Sequence, residues 1–224
     1  MPGEEYLRYP MPEIKKFLGN QPLKAIFIPF AAVTFSFDDY EARVKERLAE
    51  LGHQVTGIHQ CTDPEKAIEE ADFIIVGGGN TWQLVRMMND QGLFPLIRKQ
   101  VLSGTPFIGW SAGSNIACPT LRTTNDMPIV DPKRFECLNL VPFQINPHYL
   151  DKNPEGHGGE TREQRIEEFL EINSGVSVVG LREGTMLLRD ENKLSLIGPR
   201  NVRIFRKGTI PFELSEKDDL SFLL

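Results

Sequence analysis

The sequence predicts an α/β fold built on a mostly parallel sheet, with antiparallel hairpins toward the C-terminus. Short apolar runs alternate with helical patterns through the first half of the chain, the β-α-β-α rhythm of parallel sheets. The first run, Lys24-Ala25-Ile26-Phe27-Ile28-Pro29-Phe30, is continuous rather than alternating, as in strands buried on both faces. The tail instead pairs short apolar runs with turn signals such as Asp190-Glu191-Asn192.

Each element has its own signal. After the first strand, Tyr40, Val44, Leu48 and Leu51 recur at helical spacing among charged residues, and Gly52 stops the helix. Gln54 to His59 reads as a strand. Asp63-Pro64 then supplies a cap and a first-turn proline for a short helix to Ala71. Phe73 to Val76 is the next strand, ending at Gly77-Gly78-Gly79. Helices are predicted over Thr81 to Asn89 and Leu93 to Leu102, split by Gly92, followed by a strand over Pro106 to Trp110 and a helical segment over Ser114 to Cys118. Pro119 to Gly159 is long, irregular and rich in Pro, Asn and Asp, with one apolar island from Leu138 to Ile145; such segments inside compact domains tend to carry function. Glu160 to Ile172 is amphipathic, and Val176 to Leu181 is a further strand.

Length and composition narrow the function classes. A chain of 224 residues suits one domain, residues 1–224, and can bury a full core without staples. With 40% hydrophobic and 25% charged residues it is not a disordered chain. The net charge of −6, without a basic block, disfavours nucleic acid as a partner. The longest apolar stretch, Ala25 to Val33, holds a proline and falls far short of the ~18 residues of a membrane span, so no membrane partner is expected. Cys61, Cys118 and Cys137 are an odd set without a C-x-x-C pair, which suggests neither a disulfide framework nor a zinc site. Reduced thiols in a cytoplasmic protein are expected.

The sharpest chemical signal is Gly109-Trp110-Ser111-Ala112-Gly113, a G-x-S-x-G lying between a predicted strand and a helical segment. A strand-to-helix bend lifts the serine hydroxyl above the sheet edge, glycines relieve the crowding there, and a helix start favours developing negative charge. The plainer reading is a glycine-rich turn with Ser111 as helix cap. A serine nucleophile needs a base. Of four histidines, His53 and His59 read as packing or surface residues, and His157 as a loop residue that could touch substrate. His148 follows the apolar run ending at Ile145-Asn146-Pro147, which directs it to the carboxyl edge of the sheet, where Ser111 emerges. Two carboxylates could hold its imidazole, Asp126 in the loop after the nucleophile and Glu183 after the Val176–Leu181 strand, and the residues alone do not choose between them. The glycine run 77–79 can lend bare N–H groups to an oxyanion hole; it lacks the lysine of a P-loop, and nucleotide binding is correspondingly weak as a reading.

With these residues in place, the sequence resembles the peptidase E family, α-aspartyl dipeptidases among the serine peptidases. The resemblance runs from about Glu4 to the C-terminal hairpins. It is carried in order by Ile28 to Ala31, Val55 to His59, Ile75 to Thr81, Gly109 to Gly113, Cys118 to Thr120, Arg122 to Asp131, Gln144 to His148 and Gly159 to Arg165. It implies a three-layer αβα sandwich of the flavodoxin-like, class I glutamine-amidotransferase-like type. It also implies hydrolysis of dipeptides with N-terminal aspartate through an acyl-enzyme, without cofactor or metal. Ser111 then matches the nucleophile and His148 the base. Asp126 matches the acid named in charge-relay assignments, and Glu183 the carboxylate expected beside the histidine. Gly79 and Ala112 match the oxyanion hole. Arg162 matches the receptor of the substrate side-chain carboxylate, a role suited to a guanidinium fork, and Asn80 falls with it on the substrate side.

One departure stands out. Family members open with an apolar strand of about ten residues before the stretch that here begins Met1-Pro2-Gly3-Glu4. A parallel sheet without that strand is expected to be poorly stable. The partner expected is a small aspartyl peptide, and the sequence leaves monomer and homodimer open. Rival readings are an α/β-hydrolase esterase, in which the histidine would follow the acid, a cyanophycinase-like peptidase, and a non-catalytic binding protein on the same fold.

Overall fold

The computed structural model describes residues 5–156 and 158–224. Its first sheet is parallel throughout, with strand order β2-β1-β3-β4: β1 is Lys24–Ile28, β2 Gln54–Gly57, β3 Phe73–Val76 and β4 Phe107–Gly109. Side chains on a strand alternate between faces, so this sheet feeds two cores. Ile26, Ile28, Ile74 and Val76 pack on α3 (Pro64–Glu69), α4 (Thr81–Asp90), α5 (Leu93–Leu102) and α6 (Ala112–Asn115). Ala25, Phe27, Phe73 and Ile75 pack on α1 (Met11–Leu18) and α2 (Phe37–Ala49). These are the three layers of an αβα sandwich.

The helix starts follow from their caps. The side chains of Ser36, Asp63 and Asn80 accept hydrogen bonds from the third residue of α2, α3 and α4 respectively. Thr161 and Gln164 form a reciprocal capping box at the start of α7 (Arg162–Ile172).

A second sheet has the order β10-β9-β6-β5, where β5 is Gln144–Pro147, β6 Val178–Leu181, β9 Val202–Phe205 and β10 Phe212–Leu214. β5 and β6 are parallel, and β9 and β10 add antiparallel strands. Between β6 and β9 in the chain, β7 (Met186–Asp190) and β8 (Lys193–Ile197) form a separate hairpin whose turn is Glu191-Asn192, with Glu191 at φ +49°.

Several sequence expectations need adjustment. α6 begins directly after Ser111 rather than at Ser114, because the Ser111 carbonyl already accepts from the Asn115 N–H. The strand expected to reach His59 stops at Gly57, and Ile58–Gln60 winds into a 3₁₀ turn. The apolar island contributes a strand only at its end. Leu138 and Leu140 instead enter the core as irregular chain, their N–H groups bonded to the Ile116 and Ala117 carbonyls. α1, opened by Pro10, was not anticipated at all. His53 is a packing residue: it is buried, accepts from the Leu23 N–H and faces the Phe73 ring. His157 lies outside the described residues. No helix among the described residues is long and apolar enough to cross a membrane, and all three cysteines are free thiols.

Candidate active site

Three strands of the two sheets deliver their carboxyl ends to one place. Ser111 follows β4, His148 follows β5, and Glu183 comes two residues after β6. Ser111 holds φ +53° and ψ −113°, a conformation that L-residues avoid, at the bend between β4 and α6. The bend is tight because α6 lies hard against the sheet. A Cβ on Gly113 would stand 2.2 Å from the Val76 carbonyl oxygen, so only glycine lets the helix sit this close to β3. His148 also has positive φ, +54°, which turns its exposed ring back toward the serine.

The His148 Nε2 lies 2.9 Å from Ser111 Oγ, and its Nδ1 meets the Glu183 carboxylate. Of the two candidate acids, Glu183 is therefore the one beside the imidazole. Asp126 is placed elsewhere. Its Oδ2 accepts from the Thr81 N–H at 2.7 Å, from Thr81 Oγ1 at 2.6 Å and from Thr124 Oγ1 at 3.0 Å, at the start of α4. Thr81 Oγ1 in turn accepts from Asn115 Nδ2 in α6, so Asp126 reaches the helix that follows Ser111 through this relay.

Gly79 and Ala112 flank the serine region, and among the described residues neither N–H donates to the backbone or to a side chain. Gly79 has φ +135°, and a Cβ there would fall 2.2 Å from the Ala31 carbonyl oxygen. The run is fixed from the other side by Tyr40, whose hydroxyl donates to the Gly78 carbonyl at 3.0 Å and accepts from Tyr6 at 3.1 Å. Burial pushes both phenols above their usual range, and they remain protonated donors.

A cavity of about 300 Å³ opens over the serine, lined by Tyr6, Phe35, Tyr40, Arg43, Gly78, Gly79, Trp110, Ser111 and His148. Arg43 stands 5.4 Å over the Phe35 ring, so the cavity is an aromatic box with one cation in its wall. Arg162 and Asn80 do not line it. Arg162 opens α7 half-buried, its guanidinium pKa lowered by burial and by Arg165, against an opposing pull from Asp126. Asn80 spends its carboxamide on structure, capping α4 with the oxygen and donating from Nδ2 to the Met127 carbonyl at 3.0 Å.

The model of peptidase family S51 matches residues 1–197. The chain belongs to peptidase family S51. This S51 chain is 48% identical over 222 residues to peptidase E of Nostoc sp., covering 99% of this chain and 92% of that one. It is likewise 48% identical over 219 residues to peptidase E of Escherichia coli, covering 97% and 95%. In fold it resembles a crystal structure of a peptidase from an acI-B1 actinobacterium, with TM-score 0.70 at 18% identity, covering 98% of this chain and 93% of that one.

Sequence reasoning missed the S51 chain's aromatic box. Tyr40 was read only as part of the apolar stripe of α2, and Arg43, three residues on, lies on the same flank of that helix. Tyr6 lies before α1 in a stretch without a periodic signal. An arginine one helical turn from a core tyrosine was the one available cue.

Proposed function

We propose that this S51 peptidase is a serine-type dipeptidase that cleaves the bond after an N-terminal aspartate, with Ser111, His148 and Glu183 as its triad. The observation that carries this is the continuous contact from Ser111 Oγ through His148 to Glu183. Ser111 Oγ attacks the aspartyl carbonyl carbon while His148 Nε2 takes the hydroxyl proton. Glu183 holds Nδ1–H and stabilises the imidazolium that forms. The oxyanion of the tetrahedral intermediate accepts from the Gly79 and Ala112 N–H groups, which have no acceptor among the described residues. His148 then gives its proton to the leaving amine, the C–N bond breaks, and an aspartyl ester remains on Ser111. Water, deprotonated by the same imidazole, releases aspartate. With three free thiols, the enzyme works in the cytoplasm.

The substrate carboxylate has two candidate receptors. The family resemblance favours Arg162, whereas the cavity wall favours Arg43, which lines the same cavity as Ser111. Turnover of Asp-Leu separates them: the receptor's alanine variant raises KM for Asp-Leu far more than the other does.

The reading as a whole is tested with Asp-Leu and an aspartyl p-nitroanilide. Wild-type turnover that disappears in Ser111→Ala supports it. Cleavage of a β-linked Asp-Arg polymer instead would indicate a cyanophycinase-like enzyme, and ligand binding without turnover in either protein a non-catalytic sensor.

A further inference from the structure

We propose that Asp38, Glu41 and His59 form a binding site for a divalent transition-metal ion of the zinc type, tying the first turn of α2 to the carboxyl end of β2. Asp38 and Glu41 are three residues apart and share a helix flank. His59 comes from the 3₁₀ turn after β2 and swings its ring over that flank. Its Nε2 lies 2.9 Å from Asp38 Oδ1 and 3.7 Å from Glu41 Oε2, and one donor atom from each of the three residues lies within 4.8 Å of the others. Donors about 2.0–2.2 Å from a tetrahedral zinc ion stand about 3.3–3.6 Å apart, between the two distances found here. Seating an ion therefore needs only small side-chain shifts.

The decisive residue is Glu41. It is only 5% exposed, and among the described residues its Oε2 has no hydrogen-bond partner. A buried carboxylate oxygen left unpaired is costly, and this one is aimed at the imidazole. His59 Nδ1 is unpartnered too. Gly57 keeps the space between them open, since a Cβ there would come within 2.6 Å of Glu41 Oε2 and 2.3 Å of His59 Cε1. The donor set of two carboxylates and one imidazole suits zinc or cobalt better than calcium or magnesium, which take all-oxygen shells. Asp38 is exposed, so the fourth position faces water. Two carboxylates and a neutral imidazole also match the charge of one divalent cation.

The competing account is a protonated His59 paired with both acids, which needs no ion. Zinc calorimetry decides, run in the His148→Ala protein so that the His148–Glu183 pair cannot contribute. One equivalent of Zn2+ should bind, with at least a tenfold loss of affinity in Glu41→Gln and Asp38→Asn and none left at this site in His59→Gln. Co2+ at the same site should give the visible absorption of four-coordinate cobalt, and Zn2+ should raise the thermal midpoint only when Glu41 is present. Circular dichroism establishes that the variants fold, and Asp38→Asn, at an exposed position, keeps the test open if the buried variants do not. No binding, or equal affinity in His59→Gln and the unmodified site, overturns the proposal.

Discussion

At the residue scale, the two acids that sequence left open have different surroundings and should have different mutant signatures. Glu183 faces the imidazole, so Glu183→Gln leaves the side chain's shape but removes the charge that fixes the Nδ1–H tautomer. A fall in kcat of about 10³–10⁴-fold is expected, with little change in the thermal midpoint. Asp126→Asn instead disturbs the Thr81 N–H, Thr81 Oγ1 and Thr124 Oγ1 bonds at the start of α4. Its main effect should be a loss of roughly 1–3 kcal/mol of stability, with a smaller loss of turnover. Asp-Leu kinetics beside thermal melts on both variants would tell; a larger kcat loss for Asp126→Asn reverses the assignment. The residues of this site were legible to different degrees. Ser111 and His148 were marked by a motif and by strand-end placement, which are local signals. The choice of Glu183 depends on β5 and β6 pairing in parallel register, and no local pattern encodes that.

At the element scale, β6 leads into an ion cluster beside Glu183, the acid of the proposed triad. Arg182, the residue before Glu183, donates from Nε to Asp151 Oδ2 at 3.0 Å, and from Nη1 and Nη2 to Glu213 on β10 at 2.8 and 2.9 Å. The guanidinium holds the carboxyls of Asp151 and Glu213 below their ordinary range by hydrogen bonding. A depressed folded-state pKa contributes stability that is present above the unfolded value and is lost as pH falls through the folded one. Acid should therefore loosen this corner below the usual carboxylate range, and Arg182→Met should flatten that part of the stability-pH curve. The same change should cost about 2 kcal/mol near neutrality, less than for a fully buried pair because Asp151 is largely exposed. Urea melts of both proteins across acid pH provide the measurement, and parallel curves would refute the role. Elements of this kind differ in how well sequence announces them. β3 and α5 were read to the residue because apolar runs and glycine stops bracket them. α1 was missed because its apolar face is short and follows an aperiodic segment. α6 was displaced because the bend at Ser111 is set by contact with β3 rather than by local preference.

At the scale of the whole molecule, the proposed chemistry straddles two sheets. Ser111 rides on β4 of the parallel sheet, while His148 and Glu183 ride on β5 and β6 of the mixed one. The segment after α6 stitches them together: Thr123 Oγ1 donates to the Ile145 carbonyl, Asn125 Nδ2 to the Pro147 carbonyl, and Asn146 Nδ2 to the Thr123 carbonyl. These bonds hold β5 firmly, but they do nothing for β4. That strand ends the order β2-β1-β3-β4, and its residues are half-buried where β3 is wholly buried. The Pro106 carbonyl and the Trp110 N–H both bond to β3, so by the alternation of a parallel ladder the Phe107 and Gly109 N–H groups point to the open edge. Little but the β3 ladder and the helices on each face then restrains the strand that carries Ser111. Local opening follows such weak restraint. Amides of Phe107 and Gly109 should exchange much faster than those of Ile75 and Phe27, and activity should fade at a lower urea concentration than the loss of helical circular dichroism. Coincident transitions, together with protection at Phe107 equal to that at Ile75, would mean that β4 is held as firmly as the strands inside the sheet.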